Sequence, residues 1–321
     1  EENNNTLSLP KPAGRLQSEN VTFGLKGITI LRNISFLLEP GETLGILGPA
    51  ASGKTSLMRI VLGIWPALAG KMRLDGAEIS QWKREDLGKH IGYLPQETEL
   101  FSGTVSENIA RLQQVDPDKV ILACQKAHCH DMVLKLPKGY DFKIDSTGKN
   151  LSCGQRQQLA LARALYNDPQ IVVMDEPHLN LDDAGFKALF MALQILKKEK
   201  RTVVVVTDRP NLLVNTDKIL MLKEGQVAMF GPTREVMAKL ANQQQQQAQP
   251  QQAQQQAQQA QQPQQVQQAQ QPSHPQAMQQ QPRSQAQQPI QVKHVQPNQP
   301  QGEQATQTEQ QNPSEEPVKK D

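Results

Sequence analysis

The chain has 321 residues, with 34 Lys and Arg against 32 Asp and Glu for a formal net charge of +2. A balance that close gives no bulk electrostatic reason to expect a nucleic-acid binder. Three scattered cysteines, Cys124, Cys129 and Cys153, make no disulfide framework and suit a reducing compartment, and there is no run of 18 apolar residues of the kind that crosses a membrane.

Taken in order, residues 1–15 are polar and Pro-containing and read as a linker. Leu16 to Phe23 alternates as a strand, Thr29 to Leu38 reads as another, and Pro40-Gly41-Glu42 turns into a short buried strand, Thr43 to Leu47. Next comes Gly48-Pro49-Ala50-Ala51-Ser52-Gly53-Lys54-Thr55, which fits G-x-x-x-x-G-K-[ST], and then a helix from Ser56 to Leu62. An ordinary Gly-rich turn holding Lys-Thr is the bland alternative. The order strand, glycine loop, helix start argues against it, because that context turns backbone N–H groups and the helix N-terminus toward phosphate. Lys54 would reach the β- and γ-phosphates of a nucleotide, and the Thr55 hydroxyl would ligate Mg²⁺.

Met72 to Gly76 reads as a strand ending in a turn, residues 81–89 as a short helix, and Ile91 to Gln96 as a strand running into a loop. Residues 104–136 switch to helical spacing, with one stripe at Val105, Ile109 and Leu112 and a second at Val120, Cys124, Ala127 and Val133. A helix is predicted over 151–166. The apolar strand Ile171 to Met174 ends in Asp175-Glu176, Phe186 to Lys198 is an amphipathic helix, and Val203 to Val206 ends in Thr207-Asp208. Residues 217–230 read as two strands about the turn at Glu224-Gly225, and Glu235 to Ala241 as a closing helix. Short apolar strands alternating with helices imply a parallel sheet covered on both faces, with ligands at the carboxyl ends of its strands. The phosphate loop, Asp175-Glu176 and Thr207-Asp208 all follow strands and should converge there.

Five stretches in this order resemble the ATP-binding-cassette family of transporter ATPases. They are the phosphate loop, Gln96 at the place of the Q-loop glutamine, Leu151-Ser152-Cys153-Gly154-Gln155 beside the signature Leu-Ser-Gly-Gly-Gln, Ile171 to Glu176 as the Walker B strand, and Asn180-Leu181-Asp182 as the D-loop. The resemblance implies a P-loop NTPase of the α/β class over 16–241. Its parts would be a RecA-like parallel-sheet core, an antiparallel β subdomain and an α-helical signature subdomain over about 100–166. Within the family, Gly63-Ile64-Trp65-Pro66, Arg73 to Ala77, Gln81-Trp82, Gly92 to Gln96 and Leu100 to Val105 are similar to the ATPase half of bacterial type I protein-secretion exporters, of the protease and lipase kind. In that group six membrane helices precede the cassette in one polypeptide. With Glu1 rather than Met at the start, the chain is expected to be an excised cassette.

The resemblance further implies that residues Gly48 to Thr55 and Ser56 bind ATP, with Leu25 covering the adenine at a place where the family often has an aromatic ring. Asp175, with Thr55 and Gln96, would hold Mg²⁺. Glu176 would be the general base, and Gln96 and Asp208 would complete the catalytic set. A head-to-tail homodimer is implied, with Ser152, Cys153, Gly154 and Gln155 meeting the γ-phosphate in trans and Asp182 in the D-loop. ATP would bridge the halves and hydrolysis would release them. The implied setting is the cytoplasmic face of the bacterial inner membrane, with a six-helix permease, a periplasmic adaptor and an outer-membrane channel as partners and no nucleic acid.

Two positions depart from the family pattern. Cys153 brings a Cβ to the first glycine of the signature, expected to crowd the phosphate. Asp208 stands where the switch histidine is expected, and an ionised carboxylate accepts but cannot donate to the γ-phosphate. The chain is therefore expected to bind Mg-ATP and hydrolyse it slowly, with Asp208→His raising phosphate release; Arg209 is either a substitute donor or a solvated surface charge. The competing readings are a nucleotide-gated module that dimerises without useful turnover and a soluble cassette ATPase serving no transporter. Cys124, His128, Cys129 and His130 have partly ligand-like spacing but read as helix packing and surface rather than metal. Lys197 to Arg201 reads as a water-facing charge run at a helix end. From residue 242 the chain is close to half Gln and reads as a disordered low-complexity tail.

Overall fold

The computed structural model describes residues 10–145 and 148–242. The Gln-rich stretch beyond residue 242 and residues 1–9 of the expected linker lie outside the described residues.

Strand β1 (Leu16–Leu25) and β2 (Ile28–Leu38) form a hairpin. Its turn residues Lys26 and Gly27 both have positive φ, 50° and 80°, the twist that a two-residue hairpin loop requires. β3 (Thr43–Leu47) and α1 (Lys54–Val61) follow, flanking the glycine loop. β4 (Ala69–Leu74) and β5 (Ala77–Glu78) return to the hairpin and complete an antiparallel sheet in the order β2-β1-β4-β5. α2 (Arg84–His90) leads into β6 (Ile91–Leu94). A helical stretch then runs through β7 (Gly103–Thr104), α3 (Val105–Ile109), α4 (Pro117–Lys126), α5 (His130–Leu134), β8 (Lys143–Ile144) and α6 (Cys153–Leu165). The chain returns to the core with β9 (Ile171–Asp175), α7 (Asp183–Lys198), β10 (Thr202–Val206), α8 (Pro210–Leu213), β11 (Lys218–Lys223), β12 (Gln226–Pro232) and α9 over 233–242.

The second sheet has the order β12-β11-β3-β10-β9-β6; every neighbouring pair is parallel except β11 with the edge strand β12. β9 and β10 are buried at every residue, as expected of parallel strands covered on both faces. Their side chains alternate between two cores. Ile171, Val173, Val204 and Val206 join the antiparallel sheet and α1, whereas Val172, Met174, Val203 and Val205 join α3 to α7. The sheet therefore divides the apolar interior, and its carboxyl edge is left to the loops after β3, β6, β9 and β10.

The longer predicted elements are all present, and the departures have local causes. The helical spacing over 104–136 breaks into α3, α4 and α5. Arg111 and Leu112 take left-handed backbone, φ 58° each, and Asp116 with Pro117 starts a new helix. The first stripe accordingly fails at Leu112, which is exposed although Val105 and Ile109 are fully buried. The second stripe is buried throughout, shared between α4, its C-cap and α5. The helix predicted from 151 starts at Cys153, because Ser152 is its N-cap. The Lys197–Arg201 run does not simply face water: Lys126 Nζ lies 2.7 Å from both Asp168 and Glu199, and Arg201 also pairs with Asp168, a network that ties α4 to the core. β5, β7, β8 and α8, of two to four residues, are too short to show a period in sequence.

Candidate functional site

The glycine loop leaves β3 at its carboxyl end and turns into α1 with Gly53 as N-cap, at φ 98°. Only glycine is unstrained there, and space forbids more as well: a Cβ on Gly53 would meet Leu31 Cδ2 at 2.5 Å. The same contact places β2 directly behind the loop. Gly48 is equally enclosed, since its Cβ would lie 2.4 Å from the Leu222 carbonyl oxygen. Ala51 also has positive φ, 60°. Lys54 folds across the loop, its Nζ donating to the carbonyls of Gly48 and Pro49 at 2.9 Å each. The ammonium is thus held over the loop's own backbone, where an anion cradled by the amides would meet it.

Asp175, the last residue of β9, is 1% exposed. Its Oδ2 is buried without a hydrogen-bond partner. Burial raises its pKa, helped by the Glu176 charge and opposed by a hydrogen bond from Thr55 and by Lys54 and Arg59. A desolvated carboxylate oxygen without a donor, beside a threonine hydroxyl, offers the hard oxygen ligands that Mg²⁺ takes. The residues present therefore fit that ion.

Glu176 adopts left-handed backbone, φ 47°, and its N–H is tied to the Val206 carbonyl on β10 at 3.0 Å. A non-glycine residue held so, just past a buried strand, is a strained position of the kind that clusters at functional sites. Gln96, two residues past β6, donates Nε2–H to Glu176 Oε2 at 3.0 Å. The loops after the neighbouring strands β6 and β9 therefore meet, and the Thr55 hydrogen bond to Asp175 brings the start of α1 to the same edge. Thr98 in the same loop donates to Gln157 Oε1 at 2.5 Å, and Gln157 Nε2 reaches the Pro177 carbonyl at 3.3 Å. Buried Gln157 on α6 thereby joins the loop of Gln96 to the segment after Glu176, a link that sequence reading missed because a single Gln on a helix carries no pattern.

Ser152 caps α6 in a reciprocal box: its Oγ accepts from Gln155 N–H at 3.1 Å, and Gln155 Oε1 accepts from Ser152 N–H at 2.9 Å. The Ser152 hydroxyl proton stays available to an outside acceptor. Cys153 is exposed in the first helical turn, and Arg156 donates to its Sγ at 3.0 Å. Its Cβ is no burden within this chain, because position 153 has ordinary helical backbone. A Cβ added to Gly154 would meet only the Asn180 carbonyl oxygen, at 3.8 Å, so this helix tip lies beside the segment leading to Asp182. Asp182 itself N-caps α7, accepting from Gly185 N–H at 2.8 Å. Among the described residues the Ser152 and Gln155 side chains bond each other's backbone N–H, and neither reaches the glycine loop. Leu25 stands at the hairpin end, 40% exposed, whereas the nearby Phe23 is buried and stacked on Trp65. Of the aromatic residues on β1, none is open to a base.

Asp208 follows β10 and has an exposed side chain, yet its Oδ1 lies 3.2 Å from His178 Nε2. His178, buried two residues past Glu176, is the second residue that sequence reading missed. The signal was present: a histidine just after the acidic pair, and an aspartate where a histidine was expected.

A family profile described as ABC transporter matches residues 31–179. The type I secretion system ATP-binding protein PrsD of Rhizobium meliloti is 44% identical over 242 residues, covering 74% of this chain and 42% of that protein. The ATP-dependent lipid A-core flippase of Saccharophagus degradans is 34% identical over 233 residues, 72% of this chain and 40% of the flippase. The chain thus spans well under half the length of these relatives. Among solved structures, a bacterial Atm1-family ABC exporter with ATP bound superposes with a TM-score of 0.67 at 27% identity, over 74% of this chain and 42% of that one. These likenesses take in the glycine loop, the Gln96 loop and the β9 acids, and residues 31–179 of the chain carry an ABC transporter domain.

Proposed function

We propose that residues 16–241 act as one cassette that binds and hydrolyses Mg-ATP to drive an exporter, and that the exporter is of the type I protein-secretion kind. The observation that carries the nucleotide reading is the meeting of Lys54, the partnerless Asp175 oxygen and the Gln96–Glu176 pair at one edge of the sheet. The exporter type rests on the likeness to PrsD; other relatives are flippases and iron–sulfur cluster transporters by name, so the cargo is the finer part of the proposal.

In this reading the amides of Gly48 to Thr55 and the start of α1 hold the phosphates, with Ser56 continuing the first turn and Leu25 against the adenine. Thr55, Asp175 and Gln96 would hold Mg²⁺, which when bound neutralises charge developing between the β- and γ-phosphates. Water attacks the γ-phosphorus, ADP leaves, and Glu176 takes the water's proton on its carboxylate. Gln96 fixes that carboxylate by its hydrogen bond, and the tie from Glu176 N–H to β10 fixes the backbone behind it. Ser152, Cys153, Gly154 and Gln155 of a second copy would close over the γ-phosphate as a helix N-terminus, with Asp182 at the same contact. The remaining partners would be a six-helix permease, a periplasmic adaptor and an outer-membrane channel, with the cassette held at the cytoplasmic face of the inner membrane. Among the described residues no helix is long and apolar enough to cross a membrane.

A second reading, a nucleotide-gated module with impaired turnover, is favoured by one observation: the residue at the switch position is an exposed carboxylate. Titration with a fluorescent ATP analogue, with and without magnesium, tests the site; Lys54→Ala should abolish the affinity, and unchanged affinity would sink it. Phosphate release measured against Glu176→Gln then separates an engine from a gated module, and co-purification with a membrane permease tests the exporter role.

A further inference from the structure

We propose that His178 is a positioning residue for ATP turnover, holding the Asp208 carboxylate back from the triphosphate and fixing the loop after β10. The inference rests on the reading above, in which residue 208 faces the γ-phosphate.

The geometry is a closed chain of donors and acceptors. Arg209 N–H donates to Thr207 Oγ1 at 3.1 Å, which leaves the Thr207 hydroxyl proton to point at His178 Nδ1, 3.3 Å away. With Nδ1 accepting, the ring carries its proton on Nε2 and donates it to Asp208 Oδ1 at 3.2 Å. Both ring nitrogens of a buried imidazole are thereby satisfied, as burial demands. Burial lowers the ring's pKa, ahead of the opposing pull of Asp208, which suits the neutral tautomer that this chain of bonds requires.

The two ends of the pair sit in the loops that follow neighbouring strands, β9 and β10. β9 and β10 are in register at Asp175 and Val206, so the loops that follow them run side by side. His178 bridges these loops from beneath. Asp208 is otherwise a solvent-exposed anion on the edge where the nucleotide phosphates are placed, and its repulsion of them depends on where its oxygens point. A fixed donor behind it draws one oxygen toward the core and spreads the charge. The imidazole that the family places at the switch position is thus present here at one remove, buried behind an acid it controls.

The test is steady-state ATP hydrolysis by the full chain and by His178→Ala, Asp208→Asn and the double variant. His178→Ala should raise KM for Mg-ATP about tenfold with a smaller change in kcat, because a freed carboxylate repels bound triphosphate. Removing the charge should repair this, so His178→Ala with Asp208→Asn should return KM to within about threefold of the parent. A merely space-filling histidine predicts no such rescue. Should the alanine variant fold poorly, two amides replace it. Gln at 178 reaches the Asp208 side and should resemble the parent; Asn reaches only the Thr207 side and should behave as a loss. Absence of rescue, a kinetically silent His178→Ala, or an Asn variant equal to the parent would overturn the proposal while the nucleotide site stands. A parent chain without magnesium-dependent ATP affinity would overturn both.

Discussion

The Glu176 carboxylate accepts a hydrogen bond from the Gln96 side chain at 3.0 Å, although 80 residues separate them in sequence. Each stands just past a buried parallel strand, and β6 and β9 are neighbours, so the contact follows from strand order. Glu176→Gln should lower phosphate release by ~10²–10³ while leaving Mg-ATP affinity intact, since it removes the base and keeps the shape. Gln96→Ala should cost less, about tenfold, because the base stays but loses its orienting donor. Phosphate release and nucleotide titration on the same preparations check both; equal losses in affinity would refute the assignment.

Gly53→Ala should destabilise the fold itself. The new Cβ meets Leu31 Cδ2 at 2.5 Å and sits on a backbone at φ 98°, for a cost of ~1–3 kcal/mol. Thermal melting should show a midpoint lowered by about 3–10 °C. An unchanged midpoint would mean that β2 does not press on the loop as described.

Gln157→Ala removes the link between Thr98 and the Pro177 carbonyl. One hydrogen-bonded partner is lost on each side of a buried amide, so stability should fall by ~1–3 kcal/mol. Turnover should fall further than binding, because the Gln96 loop and the Glu176 segment lose their shared support. Hydrogen exchange in both segments checks this; protection retained in each would contradict it.

Stability should carry a signature of His178. Its folded pKa lies below the ordinary value of 6.5, so the unfolded state takes up the proton first. The stability this buried neutral ring contributes is complete above that value. It is lost as pH falls from about 6.5 toward the lower folded value. Melting between pH 7.5 and 5.5 should therefore drop more steeply for the parent than for His178→Gln. Parallel curves would refute the assignment.

Asp208→His should raise phosphate release, since it replaces an acceptor-only anion with a donor facing the phosphate. The position of His178 adds a condition. Asp208→His leaves the buried ring a single imidazole nitrogen in place of a carboxylate acceptor, so the gain should be larger with His178→Asn present, on the order of tenfold over the parent. Phosphate release by both variants decides it, and no gain in either would show that residue 208 does not face the reacting phosphate.

Much was legible before any coordinates. The glycine loop between an apolar strand and a helix, the acids after Ile171 to Met174, and the order of strands and helices all follow from local chemistry. Backbone amides near phosphate need glycine, and strands buried on both faces need continuous apolar runs. Local chemistry also foresaw the burial of Val105 and Ile109, but not that left-handed backbone at Arg111 and Leu112 would turn Leu112 to solvent. What only the tertiary structure decided are relations between distant loops: Gln96 on Glu176, Gln157 between Thr98 and Pro177, and His178 behind Asp208. Each is a single polar side chain satisfied by a partner on another element, and a hydrogen bond across a sheet leaves no periodicity for a sequence to display. The sequence alone determined that a phosphate-loop motif is present and which strand and helix flank it. Strand adjacency determined which side chains control one another there, because only in the folded sheet do the loops after β6, β9 and β10 share one edge.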